Sequence, residues 1–164
     1  MQVSVPWKVE TLTNSHRKVL EPLIRENWGG PTIATRGKLL DVRELPGLFV
    51  EKDGQPAGYL FYHSQGEDWE VVVLEALKRG QGIGTALLNE VRRLAKDSGG
   101  ARLWLITTND NVKAQAFYQR YGFTLCAVHR DGATRARETL KPSIPLTGED
   151  GIPIRDEWEF ELRL

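Results

Sequence analysis

Apolar positions along this chain recur at two spacings, and the changes between them mark out the elements. Val3, Val5, Trp7 and Val9 alternate with polar neighbours, which predicts a half-buried first strand. Pro6 within it requires an edge position or a bulge. From about residue 14 to 28 the spacing becomes helical, through Val19, Leu20, Leu23, Ile24 and Trp28. Pro22 interrupts that stretch and predicts a kink or two short helices. Gly29-Gly30-Pro31 breaks the chain, and a loop-rich passage follows through Arg36-Gly37 and Pro46-Gly47. Three strands come next, at 48–52, 58–63 and 69–76, the first ended by the turn signal Asp53-Gly54.

Helical spacing returns with Leu87, Leu88, Val91, Leu94 and Ala95, and Gly99-Gly100 ends it. Arg92, Arg93 and Lys96 lie in its last turns, where cations suit the helix dipole. A strand at 103–107 follows. Asn109, Asp110 and Asn111 then supply N-cap chemistry for a helix carrying Ala114, Phe117, Tyr118 and Tyr121, stopped by Gly122. Residues 124–128 form another strand. Beyond Asp131 come a short basic helix, a Pro/Gly-rich loop over 141–153 and a final alternating strand. There Trp158, Phe160, Leu162 and Leu164 face one way, and Glu157, Glu159, Glu161 and Arg163 the other. This order predicts a mixed α/β (α+β) sheet with helices on both faces. Hairpin-length turns among the early strands exclude a doubly wound Rossmann sheet.

Composition narrows the setting. The 164 residues fit a single domain, 1–164, long enough to bury a core without metal or disulfide staples. Twenty-two basic residues balance twenty-two acidic ones, so no net field recruits nucleic acid or an anionic membrane. Any anion site must be built locally. Cys126 is the only cysteine, which excludes an internal disulfide and leaves a cytoplasmic setting as the default. The first residues have neither the basic region nor the apolar run of a signal peptide, and no segment reaches membrane-spanning length. No His/Cys/Asp spacing suggests a metal.

The chemistry starts at Lys78-Arg79-Gly80-Gln81-Gly82-Ile83-Gly84, between the apolar run 70–74 and a strongly periodic helix. A glycine turn in that place aims several backbone N–H groups at one spot beside a helix N-terminus, a cradle for a diphosphate. A Walker loop needs Gly-Lys-Ser/Thr at its end, and here Gly84-Thr85 has no lysine between. A dinucleotide fingerprint has another glycine spacing and sits in the first βαβ unit. Arg/Gln-x-x-Gly-x-Gly/Ala is satisfied by Arg79, Gly82 and Gly84. Further on, Asn111-x-x-Ala114-x-x-Phe117-Tyr118-x-x-Tyr121-Gly122-Phe123 opens the helix after the next strand.

The two motifs, in this order and context, resemble those of the GNAT family of acetyl-CoA-dependent N-acetyltransferases, over roughly residues 1–130. The tail, 131–164, departs from the minimal plan of that family. The resemblance implies a mostly antiparallel central sheet with a V-shaped splay. Leu74, Glu75 and Ala76 would pair with the pantetheine arm of acetyl-CoA. The turn Arg79, Gly80, Gln81, Gly82, Ile83 and Gly84 would hold the pyrophosphate, with Thr85 in the first helical turn and Asn111, Ala114 and Phe117 alongside. Tyr118 matches the tyrosine that protonates or hydrogen-bonds the leaving thiolate; it also shares a stripe with core aromatics. Asn111 reads equally as a cofactor contact and as a plain N-cap.

Glu70, at the start of the strand leading to the turn, is the leading candidate for the base that deprotonates the acceptor amine, acting directly or through water. By simple alternation Glu75 falls on the other face and ranks below it. His63, on the preceding strand, is a third candidate. Trp28 and Arg36 sit where such proteins shape the acceptor pocket; Trp28 reads also as a helix end packed on the core. Cys126, in an apolar strand, reads as a buried, inert thiol. The cluster Arg130, Arg135, Arg137 and Lys141 reads as a solvated helix face or an attractor for an anionic acceptor. The prolines of the tail make it stiff and suit a lid or a dimer arm. The apolar face of the last strand fits a homodimer or internal burial. The function implied is acetyl transfer to a primary amine of a small molecule or protein; the alternative is a silent CoA-binding sensor or scaffold.

Overall fold

The computed structural model describes residues 7–164. Val3, Val5 and Pro6 of the expected first strand lie outside the described residues, and the strand that is seen, β1 (Val9–Thr11), starts after Trp7. It is followed by α1 (Asn14–Trp28), β2 (Thr32–Thr35), β3 (Lys38–Asp41), β4 (Gly47–Lys52), β5 (Gln55–Gln65) and β6 (Asp68–Ala76). The second half runs α2 (Ile83–Asp97), β7 (Arg102–Thr108), α3 (Val112–Tyr121), β8 (Thr124–His129), α4 (Gly132–Thr139) and β9 (Glu157–Arg163).

Among the described residues seven strands form one sheet in the order β1-β4-β5-β6-β7-β9-β8. β6 and β7 run parallel, joined by the α2 crossover, and the other neighbours are antiparallel. Leu87, Leu88, Val91 and Ala95 of α2 are fully buried against one face. At roughly 1.5–3 kcal/mol for each fully buried large aliphatic side chain, that stripe anchors the helix. α1 covers the other face through Leu20 and Ile24, packed with Phe49, Tyr59, Phe61 and Val73.

Several expectations are corrected. α1 is one continuous helix despite Pro22. Pro22 lies on the exposed side, so the carbonyl that loses its N–H partner is left to water. His16 closes the start of α1: its amide donates to Thr13 Oγ1 at 3.2 Å, its Nδ1 accepts from the Thr13 amide at 3.1 Å, and its ring stacks on Phe49. The expected loop after Pro31 contains the two-stranded hairpin β2–β3. Its turn puts Arg36 and Gly37 at positive φ, 47° and 77°, the tight-hairpin geometry usually given to Asn-Gly. β9 lies between β7 and β8, and its Phe160 is fully buried within this chain.

The correction with most consequence is in β6. Phe61 pairs with Val73 and Tyr62 with Val71, leaving Val72 as an extra residue in a β-bulge. Val72 and Val73 therefore both turn toward the α1 face, while Val71 and Leu74 pack on the α2 face. The bulge resets the alternation, so Glu75, opposite Tyr59, shares a face with Glu70 rather than opposing it.

Candidate active site

β6 and β7 pair only at Asp68–Arg102, Trp69–Leu103 and Glu70–Trp104. Beyond Glu70 the two strands diverge, and among the described residues the edge of β6 that faces β7 carries no ladder partner from residue 71 on. A cavity of about 780 Å³ fills this opening, within the range of sites for cofactor-sized molecules. Leu74, Glu75 and Ala76 line one arm, and Ile106, Thr107 and Thr108 the other.

At the end of β6 the chain enters the glycine turn. Gly82 is the N-cap of α2 at φ 79°, a conformation open to glycine and costly to residues with a Cβ, and no side chain among the described residues caps the helix. The first-turn amides are thus left for an incoming acceptor of hydrogen bonds. Space above Gly80 and Gly82 is open. Arg79, Gly80, Gly82, Ile83, Gly84 and Thr85 all line the cavity. Gln81 does not: its carbonyl accepts from Trp7 Nε1 at 2.6 Å and its Oε1 from Lys52 Nζ at 3.3 Å, turning it toward β4.

α3 forms the facing wall. Asn111 caps it, accepting from the Ala114 amide at 3.2 Å, and also lines the cavity, as do Ala114 and Phe117. A Cβ at Gly84 would stand 3.0 Å from Phe117 Cζ, so this glycine lets the turn and α3 close on each other. Tyr118 belongs to the core and to the cavity wall together. Phe117 and Phe123 pack edge-to-face on its ring. Burial, and secondarily the charge of Glu75, pushes its phenol well above the usual range, so the hydroxyl keeps its proton.

The carboxylates gather on the opposite, α1-side face. Glu70 is only 4 % exposed and accepts from Thr35 Oγ1 at 2.7 Å. Burial raises its pKa to about 7, although the Thr35 hydrogen bond and the charges of Arg36 and Lys38 pull the other way. Its carboxyl does not line the cavity; it sits behind the hairpin, at the apex where the strands part. Glu75 does line the cavity and is likewise raised by burial. His63 stands directly across from Glu70 on β5, outside the lining. Trp28 is both a wall and a packing residue, donating from Nε1 to Tyr59 Oη at 3.2 Å. Arg36 stays outside the cavity lining; its guanidinium lies 5.1 Å over the Trp104 ring and 3.4 Å from Glu159.

Two readings of the tail change. The basic cluster is mostly internal stitching: Arg137 donates to the carbonyls of Ile144, Pro145 and Ile154, and Lys141 Nζ to those of Trp28 (2.7 Å) and Thr32 (2.5 Å). Lys141 thereby ties the segment after α4 to the wall around Trp28. Cys126 is exposed, not buried; β8 is the sheet's outer strand, so its apolar neighbours Leu125 and Val128 are exposed too. The thiol is still not activated, because partial burial and Glu159 hold its pKa up.

Sequence reasoning missed Thr35 and Glu157. Thr35 lay in a segment read as loop. Glu157, which lines the cavity at 5 % exposure, reads in the sequence only as part of the polar side of the last strand. The Glu157-Glu159-Glu161 alternation was the available signal, but a charged strand face ordinarily points to water.

Comparison with known proteins agrees with this geometry. The family model described as "Acetyltransferase (GNAT) family" matches residues 11–123. The chain is 40% identical over 145 residues to the uncharacterized protein YdhI of Bacillus subtilis, covering 88% of this chain and 90% of that one. It is 31% identical over 104 residues to a streptothricin acetyltransferase of Streptomyces lavendulae, covering 58% and 55% of the two chains. Its fold matches a GNAT family acetyltransferase from Elizabethkingia anophelis with acetyl-CoA bound, with a TM-score of 0.70, 17% identity and coverage of 97% and 99%.

Proposed function

This chain belongs to the GNAT acetyltransferase family, and we propose that it moves the acetyl group of acetyl-CoA to a primary amine by direct attack. The observation that carries this reading is the parting of β6 and β7 beyond Glu70, with an uncapped glycine turn at the far end of the exposed β6 segment. Acetyl-CoA, when bound, supplies an acyl group already activated as a thioester. The residues present fit it: open amides for a diphosphate, an unpaired strand edge for an extended amide chain, and a protonated phenol in the wall.

In this reading the amides of residues 79–85 hold the diphosphate, with Arg79 and Lys78 nearby, and the free edge of β6 holds the arm. Glu70 takes a proton from the acceptor ammonium through an intervening water, since its carboxyl lies behind the lining. A carboxyl with a pKa of about 7 is charged in useful amount near neutrality and still basic enough for the task. The amine nitrogen then bonds to the acyl carbon as the carbon–sulfur bond breaks. Tyr118 gives its proton to the leaving sulfur and recovers one from the product nitrogen, so protons balance.

The test is to incubate the protein with acetyl-CoA and a panel of primary amines, following thiol release and product mass. Release of free CoA matched by one acetyl gained on an amine supports the reading. Absence of transfer to every amine in the panel overturns it.

A further inference from the structure

Glu157 is left unused by the chemistry assigned to Glu70 and Tyr118. It opens β9, paired with Thr108 of β7 and His129 of β8, and so stands on the arm of the opening across from Leu74–Ala76. It is nineteen-twentieths buried yet lines the cavity, and no side chain among the described residues hydrogen-bonds or ion-pairs with it. Its neighbour on the same face makes the contrast. Glu159 is held by Arg102, by Arg36 Nε at 3.4 Å and by His129 Nε2 at 3.0 Å. Burial alone would raise Glu159, but these partners hold it below the usual carboxylate range.

Glu157 keeps the cost of burial without that relief. Burial raises its pKa, while the Arg36 amide and the charges of His129, Arg135 and Arg36 only partly oppose the rise. From behind, Gly132 is packed so closely that a Cβ there would lie 2.7 Å from Glu157 Oε1, which leaves the cavity as the open side. A carboxylate removed from water without an ion-pair partner is unfavourable, and a cation delivered to it offsets that cost. The cavity is divided accordingly: Lys78, Arg79 and the α3 residues Lys113 and Arg120 stand toward the glycine turn and α3, while Glu75 and Glu157 stand on the α1-side face.

We propose that Glu157 binds a second positive charge on the acceptor, so that the preferred substrates are diamines and polyamines rather than monoamines of equal chain length. The proposal deepens the acetyl-transfer reading and rests on it for which amine reacts, but the cation subsite can be measured without turnover.

Two readouts on the full chain test it. Calorimetric titration of spermidine and of n-pentylamine into the CoA-loaded protein compares affinities directly. Spermidine should bind at least about tenfold tighter, and Glu157→Gln should remove most of that margin. In turnover, the kcat/KM ratio of cadaverine to n-pentylamine should exceed about tenfold and fall toward one in the same variant. Equal affinities for the two amines in the unaltered protein overturn the proposal without recourse to a variant, as does a margin that survives Glu157→Gln in folded protein. Tight, Glu157-dependent spermidine binding without acetyl transfer would support the subsite and sink the enzymatic reading instead.

Discussion

The two sides of the cavity are built in different ways. The glycine-turn side comes from one nearly continuous stretch, β6 to α3, and works through backbone: open amides, an unpaired strand edge and glycines that let α2 and α3 close up. The α1-side face draws on segments far apart in sequence, the hairpin β2–β3, Glu70 and Glu75 of β6 and Glu157 of β9, and works through side chains taken out of water. Backbone geometry can be written into a short motif. Desolvated carboxylates exist only once distant segments have packed. The first side is therefore suited to a constant ligand, and in the proposed reading the second is the side that selects the acceptor.

Mutations separate the two sides. The largest effect is expected at Gly82, where φ is 79° and the space above is open. Gly82→Glu adds backbone strain and a negative charge where the diphosphate would lie, and should weaken acetyl-CoA binding by more than about a hundredfold in calorimetry. Glu70→Gln leaves that side alone: kcat should fall roughly a hundredfold while the KM for acetyl-CoA stays within about twofold. In the unaltered protein kcat should rise with pH through about 7, as Glu70 loses its proton, and then level off. The variant should lose that limb.

Tyr118→Phe is expected to cost about tenfold in kcat and, because the ring packing is kept, under about 1 kcal/mol in stability. An unchanged kcat would reduce Tyr118 to a packing residue. The smallest effect is expected at Thr35, whose hydroxyl favours the charged form of Glu70. Thr35→Val removes that bond, raises the pKa of Glu70 further and moves the rising limb to higher pH. Activity should drop a few-fold at pH 7 and recover by about pH 9; a loss that is uniform across pH would assign Thr35 to folding instead.

Most of the first side was legible in the sequence. Gly80, Gly82 and Gly84 between an apolar run and a periodic helix, then Asn111 to Gly122, define turn, helix and cap by local rules, and the strands at 48–76 follow from alternation and turn signals. Gln81 escaped because Trp7 and Lys52, distant in sequence, draw it away. On the second side, local rules misled. Period-two alternation put Glu75 opposite Glu70, but the bulge at Val72 depends on the register with β5 and leaves no mark in composition. The hairpin β2–β3 turns on Arg36-Gly37, and an arginine at positive φ is not a turn signal. The placement of β9 between β7 and β8 converted an ordinary charged strand face into buried carboxylates, a consequence of topology alone.

In the proposed reading acetyl-CoA lies along the opening between β6 and β7, its diphosphate on the amides of residues 79–85. A crystal structure of the complex with CoA tests this most directly. The account requires diphosphate density over Gly80–Thr85 and the sulfur between the parted strands beside Tyr118. CoA bound elsewhere, with that turn untouched, would contradict it.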